Sequence, residues 1–525
     1  YPLRRQRQMC IRDRLQTDGV FGRGTRAAII RAQRSLGLSP DGVVGKKTYG
    51  ALQKYCVNQG QKDEEKKSFT NEIKKITNST EFNSFIEKNV QNVSSALYRG
   101  EMAIDVDFDT SDVATTSSAE QDFSTTNIQE TGVDESDIIK TDGNYIFAVS
   151  GKKIVIINAQ DSNNLNIITD IKYTGTPREL YLDGDTLVVI GRHYEEIQKR
   201  ETKTDVTTRI WYPQQQSYTQ VSFFDISDVS RPTLTKEYQM EGNYVDSRVT
   251  NGELYLVNEK YMYDTTLPFL KEDGRTQVLP INITYFDIPY SNTRLTHIHG
   301  INVDNPNDIN SAQYLLSGNQ EMYVSQDNIY ISYQDYNYGP IVFEDSSFWE
   351  GESDVQKTVI HRIEISQGQS DLVASGTIPG NVLNKFSMSE YKGYLRVATT
   401  SGNNWNGTES ENNIYVLDMD MDIVGELEGL APGEQIYSAR FMGETGYMVT
   451  FEQVDPLFVI DLSNPKKPKV KGELKIPGFS NYLHPYDDTT LLGIGRDVEL
   501  TDEGRVVTRG VKIALFDVSN VYKPK

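Results

Sequence analysis

The chain has 525 residues, of which 37% are hydrophobic, and a formal net charge of −21 at pH 7. This length predicts more than one folded unit, but the apolar runs, such as 154–157, are far shorter than the ~20 residues that span a membrane. The acidic balance argues against nucleic acid as a partner, because binding it needs clustered Lys and Arg. Two cysteines are too few for a disulfide framework.

Charge is distributed unevenly along the chain. Residues 1–53 carry 11 Lys and Arg against 3 Asp and Glu, whereas the remainder carries 42 against 71. This asymmetry predicts two modules with different partners. Residues 1–14 show neither hydrophobic periodicity nor the pattern of a signal peptide, and we interpret them as a non-native segment.

Residues 15–56 contain an internal repeat of a Gly-rich turn that leads into a helix. The segment Asp18–Thr25 (DGVFGRGT) recurs as Asp41–Thr48 (DGVVGKKT). Thr25 and Thr48 suit the N-cap position of the helix that follows each copy, because a threonine oxygen can accept a hydrogen bond from the first helical turn. The repeat predicts a small α-helical domain.

This repeat resembles the peptidoglycan-binding domain found on cell-wall hydrolases and spore-coat proteins. The resemblance implies peptidoglycan as a partner. It assigns the following residues to the binding motif: Asp18, Gly19, Phe21, Gly22, Thr25, Gln33, Asp41, Gly42, Val44, Gly45, Thr48 and Tyr49. Ala32 stands where the family usually has an aromatic residue, and Tyr49 replaces the usual Trp. The family's first helix would fall within the segment 1–14, so the domain is predicted to be truncated.

Residues 57–126 are mainly polar and are predicted to form a linker. The spacing of Phe82, Phe85, Ile86 and Val90 is that of an amphipathic helix. Residues 109–126 are rich in Ser, Thr and Asp and contain few apolar side chains to bury, which is typical of a flexible segment. We expect one or two helices followed by disordered chain.

From residue 127 onward the sequence repeats a unit of four short strands. The first two strands form a hairpin around a polar turn, at Asp142-Gly143, Asp183-Gly184, Asn251-Gly252, Gln326-Asp327, Lys392-Gly393, Gly443-Glu444 and Asp487-Asp488. The third strand ends on a polar residue, as at Asp225, Asp461 and Asp517, and the fourth strand runs to a glycine. Such units predict a mainly β fold, a β-propeller over 127–525. Seven of its seven or eight blades are visible, the last of them incomplete.

The stretch 126–143 that opens the propeller resembles the start of a prokaryotic family of secreted proteins, whose C-terminal β-propeller is distantly related to WD40 repeats. The residues that carry the resemblance are Asn127, Gln129, Gly132, Val133, Asp134, Glu135, Asp137, Lys140, Thr141, Asp142 and Gly143. The resemblance implies a secreted, extracellular protein, which we expect to be bacterial, with a further blade beyond residue 525. It implies no reaction.

Two sets of side chains suggest a chemical role. Asp134, Glu135 and Asp137 could bind a cation, act as an acid/base pair or cap a turn, and we favour the structural role because Asp is common in turns. His297 and His299 lie two apart on a predicted strand and therefore face the same way. No third metal ligand is identifiable for them from the sequence.

Acidic and basic clusters elsewhere have simpler interpretations. A calcium loop starting at Asp418 fails, because an EF-hand needs Gly at its sixth position and Glu at its twelfth, where Ile423 and Gly429 stand. Arg192 and Arg496 follow equivalent second strands, and the sequence places an arginine of the fifth blade, Arg396, near the same position. These arginines suit an anionic ligand or, more simply, ion pairs with neighbouring carboxylates.

Together these observations predict a non-catalytic binding protein of the cell wall. Its N-terminal module would attach to peptidoglycan, and its propeller would bind an extracellular protein or polysaccharide through the loops between strands. We expect no membrane span, no metal site and no cofactor, with calcium-dependent stability of the propeller as a weaker idea. The alternative is an extracellular hydrolase or lyase with its active site in the propeller loops, because fold alone does not decide function.

Overall fold

The described part of the chain is built almost entirely of antiparallel β-strands. The computed structural model describes residues 73–86, 128–161, 163–196, 215–262, 267–286, 294–316, 321–335, 356–402, 409–451, 455–476, 478–500 and 506–525. The predicted non-native segment, the predicted helical domain with its binding motif, and most of the predicted linker lie outside these residues.

Two short strands, β1 (Ile73–Ile76) and β2 (Val133–Glu135), precede the first sheet. Sheet 1 contains β3 (Ile139–Thr141), β4 (Tyr145–Ser150), β5 (Lys153–Asn158) and β6 (Asn166–Lys172). Sheet 2 contains β7 (Thr176–Asp183), β8 (Thr186–Glu196), β9 (Gln215–Asp225) and β10 (Thr233–Glu241). Sheet 3 contains β11 (Asn243–Thr250), β12 (Glu253–Tyr261), β16 (Arg294–Asn302) and β17 (Ile309–Leu316). Between β12 and β16 lie β13 (Phe269–Glu272) and β14 (Arg275–Val278), which extend sheet 2, and β15 (Ile283–Phe286), which extends sheet 3.

The remaining four sheets follow in chain order. Sheet 4 contains β18 (Glu321–Val324), β19 (Asn328–Asp335), β20 (Lys357–Ser366) and β21 (Gln369–Pro379). Sheet 5 contains β22 (Asn381–Val382), a 3₁₀ turn (Lys385–Ser387), β23 (Met388–Tyr391), β24 (Tyr394–Ser401), β25 (Glu411–Leu417) and β26 (Ile423–Leu430). Sheet 6 contains β27 (Gln435–Met442), β28 (Thr445–Phe451), β29 (Asp455–Asp461) and β30 (Lys469–Ile476). Sheet 7 contains β31 (Phe479–Asp487), β32 (Thr490–Leu500) and β33 (Val506–Asp517).

The seven sheets form a β-propeller, and the predicted fold class is confirmed. Strands that follow one another in sequence are neighbours in each sheet, and the hairpins predicted from the polar turns join the first two strands of all seven. Each of the six interfaces between consecutive sheets is filled by a hydrophobic cluster, so both faces of the inner sheets are covered. Sheet 7 has three strands among the described residues, as predicted for the last blade.

Residues 73–86 lie against the outer part of sheet 3. Strand β1 pairs antiparallel with β15, and residues 79–86 are helical. The helix begins after Asn78, whose Oδ1 accepts the backbone N–H of Glu81 at 2.9 Å. The sequence predicted this helix but not the strand, because the partner of β1 lies far along the chain. No helix among the described residues is long and apolar enough to cross a membrane.

The glycines that end the fourth strands are required by a close backbone contact. An added Cβ would lie within 2.4–2.7 Å of a second-strand carbonyl oxygen in four cases: Gly175 against Arg192, Gly242 against Glu259, Gly478 against Arg496, and Gly380 against Thr400. Real Cβ atoms do not approach an oxygen this closely, so any side chain at these positions would push the first two strands of the sheet apart.

We expect Gly175→Ala to destabilise the protein by about 2 kcal/mol, because its Cβ would lie 2.4 Å from the Arg192 carbonyl oxygen. Gly510→Ala is the matched control: the φ angle of neither glycine is in the left-handed region, and a Cβ at Gly510 meets no atom within 4 Å. The free energy of unfolding in urea measures both. Equal stability of the two variants would contradict the contact.

Candidate functional site

The inner strand of every sheet carries at least one buried polar side chain close to the hairpin that follows it, and we take one from each sheet. We call these seven residues, none more than 6% exposed, the inner ring: Lys140, Tyr181, Arg248, Tyr323, Ser389, Arg440 and His484. Three of them are Lys or Arg, so the centre of the propeller collects positive charge. A buried charge is costly unless an opposite charge or hydrogen bonds compensate it.

Residues 128–137, which we call the axial segment, run across the inner strands of several sheets. Strand β2 within this segment pairs antiparallel with β11 of sheet 3. Asp137 and Leu180 of sheet 2 exchange backbone hydrogen bonds of 3.2 and 2.8 Å. The carbonyl oxygen of Thr131 accepts a hydrogen bond from Gln326 Nε2 of sheet 4 at 2.9 Å. The axial segment therefore occupies the centre of the propeller.

Glu135 is the most strongly held carboxylate of the axial segment. Its Oε2 lies 2.6 Å from Lys385 Nζ and 3.5 Å from Arg248 Nη2, and its Oε1 accepts the backbone N–H of Gln129 at 2.9 Å. Burial alone would raise the pKa of Glu135, but the charges of Arg248 and Lys385 and these hydrogen bonds lower it to about 2. The Gln129 side chain also donates to the carbonyl oxygens of Lys385 and Met388, both at 3.0 Å.

Asp134 neutralises the ring member of sheet 1. Lys140 Nζ lies 2.9 Å from Asp134 Oδ1 and donates to the Glu135 carbonyl oxygen at 2.6 Å. The same ammonium lies 5.4 Å from the ring centroid of Tyr181, within the range of a cation–π interaction. Burial raises the pKa of Asp134 more than the charge of Lys140 lowers it.

Glu130 contacts the ring members of sheets 4 and 5. Its Oε1 accepts hydrogen bonds from the Tyr323 hydroxyl at 2.7 Å and from Ser389 Oγ at 3.4 Å. Burial raises the pKa of Glu130, and these hydrogen bonds together with the more distant charges of Arg396 and Arg440 oppose that rise. Three of the four carboxylates of the segment, Glu130, Asp134 and Glu135, thus face ring members from four of the seven sheets.

Other residues of the opening motif shape the backbone. Gly132 has φ +84°, and a Cβ there would lie 2.9 Å from the Gln326 side chain, so this position favours glycine. Asp142 Oδ1 accepts two backbone N–H groups at 2.8 and 2.7 Å, which closes the first hairpin turn. Asn127 lies outside the described residues.

The sequence placed the carboxylates of this motif beside the first blade, where Asp134 does contact Lys140, but the strand that carries Asp134 and Glu135 pairs with the third sheet. Both lie in β2, which forms the innermost strand of sheet 3. The reason is that β2 hydrogen-bonds to the edge of β11 before the chain enters sheet 1. Each of these two carboxylates lies within 3.5 Å of a lysine or arginine side chain. The two are therefore held in ion pairs and do not form an acid/base pair free to contact a substrate.

The two predicted strand histidines are buried side by side. The rings of His297 and His299 stack with their centroids 5.7 Å apart, and His299 hydrogen-bonds Ser311 Oγ at 2.7 Å and Asn258 Oδ1 at 3.1 Å. Burial lowers the pKa of His299 to about 3 and that of His297 as well. Within the described ranges, no group of three His, Cys, Asp or Glu side chains could hold a metal ion.

The other two clusters have local explanations. Asp418 Oδ1 accepts the backbone N–H groups of Asp420 and Asp422, both at 3.1 Å, as in a strand-end turn. Arg192 and Arg496 are equivalent, since the carbonyl oxygen of each faces the glycine that ends a fourth strand. The equivalence predicted for Arg396 is wrong. Thr400 takes that place, because it lies six residues after the start of β24, as Arg192 and Arg496 do in β8 and β32.

Sequence reasoning missed Arg248, Arg440 and Lys385, the cations near the propeller centre. Arg248 and Arg440 both lie two residues before the end of their inner strands, β11 and β27. This shared position was a usable signal, because strands of a repeat should align at their hairpins. Lys385 had no such signal, since it comes from the 3₁₀ turn that interrupts sheet 5.

We expect Glu135→Gln to lower the free energy of unfolding by about 3 kcal/mol at pH 7, because it leaves Lys385 without its carboxylate and the buried Arg248 with Asp246 alone. The pKa of Glu135 is about 2 in the folded protein against an ordinary value of 4.5. Its contribution is therefore present above pH 4.5, and the difference between variant and parent should shrink as pH falls from 4.5 towards 2.

Glu499→Gln serves as the control, because Glu499 is also ion-paired (2.7 Å to Arg509) but is 62% exposed. It should change stability by less than about 0.5 kcal/mol. Urea denaturation across this pH range measures both variants. A Glu135→Gln variant as stable as the control would contradict the assignment of Glu135 as the central counter-charge.

Comparison with known proteins identifies relatives over most of the chain. An uncharacterized protein of Methanocaldococcus jannaschii is 32% identical over 521 residues, covering 86% of this chain and 76% of that protein. An uncharacterized protein of Archaeoglobus fulgidus is 29% identical over 481 residues, covering 77% and 70%. Both organisms are archaea, so a bacterial source stays a prediction.

Solved structures resemble the chain only weakly. The acylaminoacyl peptidase of Pyrococcus horikoshii gives a TM-score of 0.31 at 13% identity, over 73% of this chain and 51% of the peptidase. An acylaminoacyl peptidase in complex with Z-Gly-Gly-Phe-chloromethyl ketone gives 0.32 at 12% identity, over 74% and 52%. Likeness at this level carries no argument about activity.

Two protein families match the chain directly. The family described as peptidoglycan binding domain matches residues 12–52, close to the predicted helical domain. The family described as beta propeller domain matches residues 123–525, which include the axial segment and all seven sheets. The chain therefore belongs to the β-propeller domain family and carries a peptidoglycan-binding domain ahead of its propeller.

Proposed function

We propose that this protein is a non-catalytic, extracellular binding protein that attaches to the cell wall. Its N-terminal domain would bind peptidoglycan, and its propeller would bind an extracellular protein or polysaccharide. The observation that carries the proposal is the combination, in one chain, of a peptidoglycan-binding domain at 12–52 and a propeller at 123–525. A domain that binds the wall serves to hold whatever is joined to it at that surface.

The chemistry at the propeller centre favours binding over catalysis. General acid/base catalysis needs side chains that can approach the substrate and exchange protons with it. Asp134 and Glu135 are instead held by Lys140, Arg248 and Lys385. The carboxylates of the opening motif therefore act in support of the fold.

The connections between second and third strands are the best candidates for the propeller's binding surface. In sheets 2, 4 and 5 the ends of these strands are separated in sequence by residues 197–214, 336–356 and 402–410. All three tryptophans of the chain, Trp211, Trp349 and Trp405, fall within them. Binding surfaces are enriched in Trp and Tyr, because these side chains offer large contact areas at little entropic cost.

Co-sedimentation of the 525-residue chain with purified peptidoglycan sacculi tests the wall attachment. We expect saturable binding that Tyr49→Ala weakens at least about tenfold, because truncating an aromatic hot-spot residue costs about 2 kcal/mol or more and tenfold corresponds to about 1.4 kcal/mol. Tyr522→Ala is the matched control, because Tyr522 is exposed and lies outside both proposed binding surfaces; this variant should bind sacculi as the parent does. Sedimentation no greater than that of an unrelated acidic protein would contradict the proposal.

The same incubation tests the absence of catalysis. We expect no release of soluble wall fragments above that of a sample without protein. Release of fragments that persists in Tyr49→Ala would contradict the non-catalytic assignment and favour a hydrolase or lyase.

A further inference from the structure

Arg440 differs from the other cations of the inner ring. Lys140 pairs with Asp134 at 2.9 Å, and Arg248 pairs with Asp246 at 2.6 Å. Arg440 lies on β27 of sheet 6 and is only 6% exposed. Among the described residues, no carboxylate forms an ion pair with Arg440 and no group forms a hydrogen bond with its buried Nη1.

The guanidinium of Arg440 is held in place by an aromatic ring. Its Cζ lies 5.3 Å from the ring centroid of Phe386 in the 3₁₀ turn of sheet 5. Phe386 in turn packs edge-on against Tyr482 of sheet 7, with the centroids 5.5 Å apart. A cation–π contact fixes the position of a guanidinium but leaves its N–H donors unsatisfied.

Arg440 points to the side of β27 that faces sheet 7. Ser438, two residues earlier on the same strand, donates its hydroxyl to the carbonyl oxygen of Ser480 at 2.8 Å. Side chains two apart on a strand share a face, and no bulge separates these two. The donors of Arg440 are therefore presented between the inner strands of sheets 6 and 7.

Positive charge exceeds negative charge around this position. Arg396, 4% exposed, donates to Ser389 Oγ at 2.7 Å and to the Gly443 carbonyl oxygen, and it too lacks an ion pair among the described residues. The charges of both arginines lower the pKa of Glu130, although neither arginine forms a hydrogen bond with it among the described residues. Two buried guanidinium groups against one carboxylate leave a net positive charge in a site of low dielectric.

We propose that Arg440 binds an oxyanion, a carboxylate or phosphate group, between the inner strands of sheets 6 and 7. The planar guanidinium offers paired N–H donors that match two oxygens of such a group. The anion supplies the missing counter-charge and the missing hydrogen-bond acceptors. Phe386 keeps the guanidinium oriented, and Arg396 adds to the positive potential.

Titration of inorganic phosphate, and separately of acetate, into the full 525-residue chain at constant ionic strength tests the proposal. Calorimetry should give saturable binding, and the unfolding temperature should rise with anion concentration. The tighter of the two anions identifies the class of ligand. Arg440→Met should weaken binding at least about tenfold, because it keeps the apolar stem but removes the charge and the donors.

Two further variants make the test specific. Arg509→Met removes an exposed arginine that is paired with Glu499, and it should bind the anion as the parent does. Arg440→Lys keeps the charge but loses the planar donor pair, so it should bind more weakly than the parent even if Arg440→Met does not fold. Absence of saturable binding by the parent chain to either anion, or unchanged affinity in both Arg440 variants, would overturn the proposal.

Discussion

The need to neutralise positive charge at the propeller centre is the constraint on which the rest of this structure depends. Inner strands from several sheets bring lysine and arginine side chains together where water is largely excluded. The axial segment supplies the opposite charges: Asp134 lies 2.9 Å from Lys140, and Glu135 lies 2.6 Å from Lys385. A buried cation that loses its carboxylate is strongly destabilising, so the segment is an integral part of the core.

This arrangement separates the parts of the molecule that maintain the fold from the parts available for binding. The sheets cover one another through six hydrophobic interfaces, and the axial segment fills the centre. In the function we propose, the strand connections that carry all three tryptophans of the sequence bind a partner. In the same proposal, the peptidoglycan-binding domain at 12–52 adds a second binding function. Arg440 is the exception at the centre, because no carboxylate among the described residues forms an ion pair with it.

Repetition of the four-stranded unit explains why the fold could be predicted from the sequence. The candidate site could be predicted only in part, because it lies outside the repeat. Polar turns such as Asn251-Gly252 and the glycines such as Gly175 recur in sheet after sheet, so their pattern reveals the hairpins and the limits of each sheet. The opening motif at 126–143 was also recognisable in the sequence, but its place at the centre of the propeller was not. Pairing of β2 with β11 joins residues more than a hundred positions apart, and local sequence contains no record of such a partner. The ion pair between Glu135 and Lys385 was hidden for the same reason.

A double-mutant cycle on Glu135 and Lys385 tests the central claim most directly. It compares the free energies of unfolding of Glu135→Gln, Lys385→Met and the double variant with that of the parent chain. If the axial segment neutralises the propeller centre, the two substitutions will be non-additive, with a coupling energy of about 2 kcal/mol. Additivity within about 0.5 kcal/mol would show that the two charges do not stabilise each other and would contradict the account.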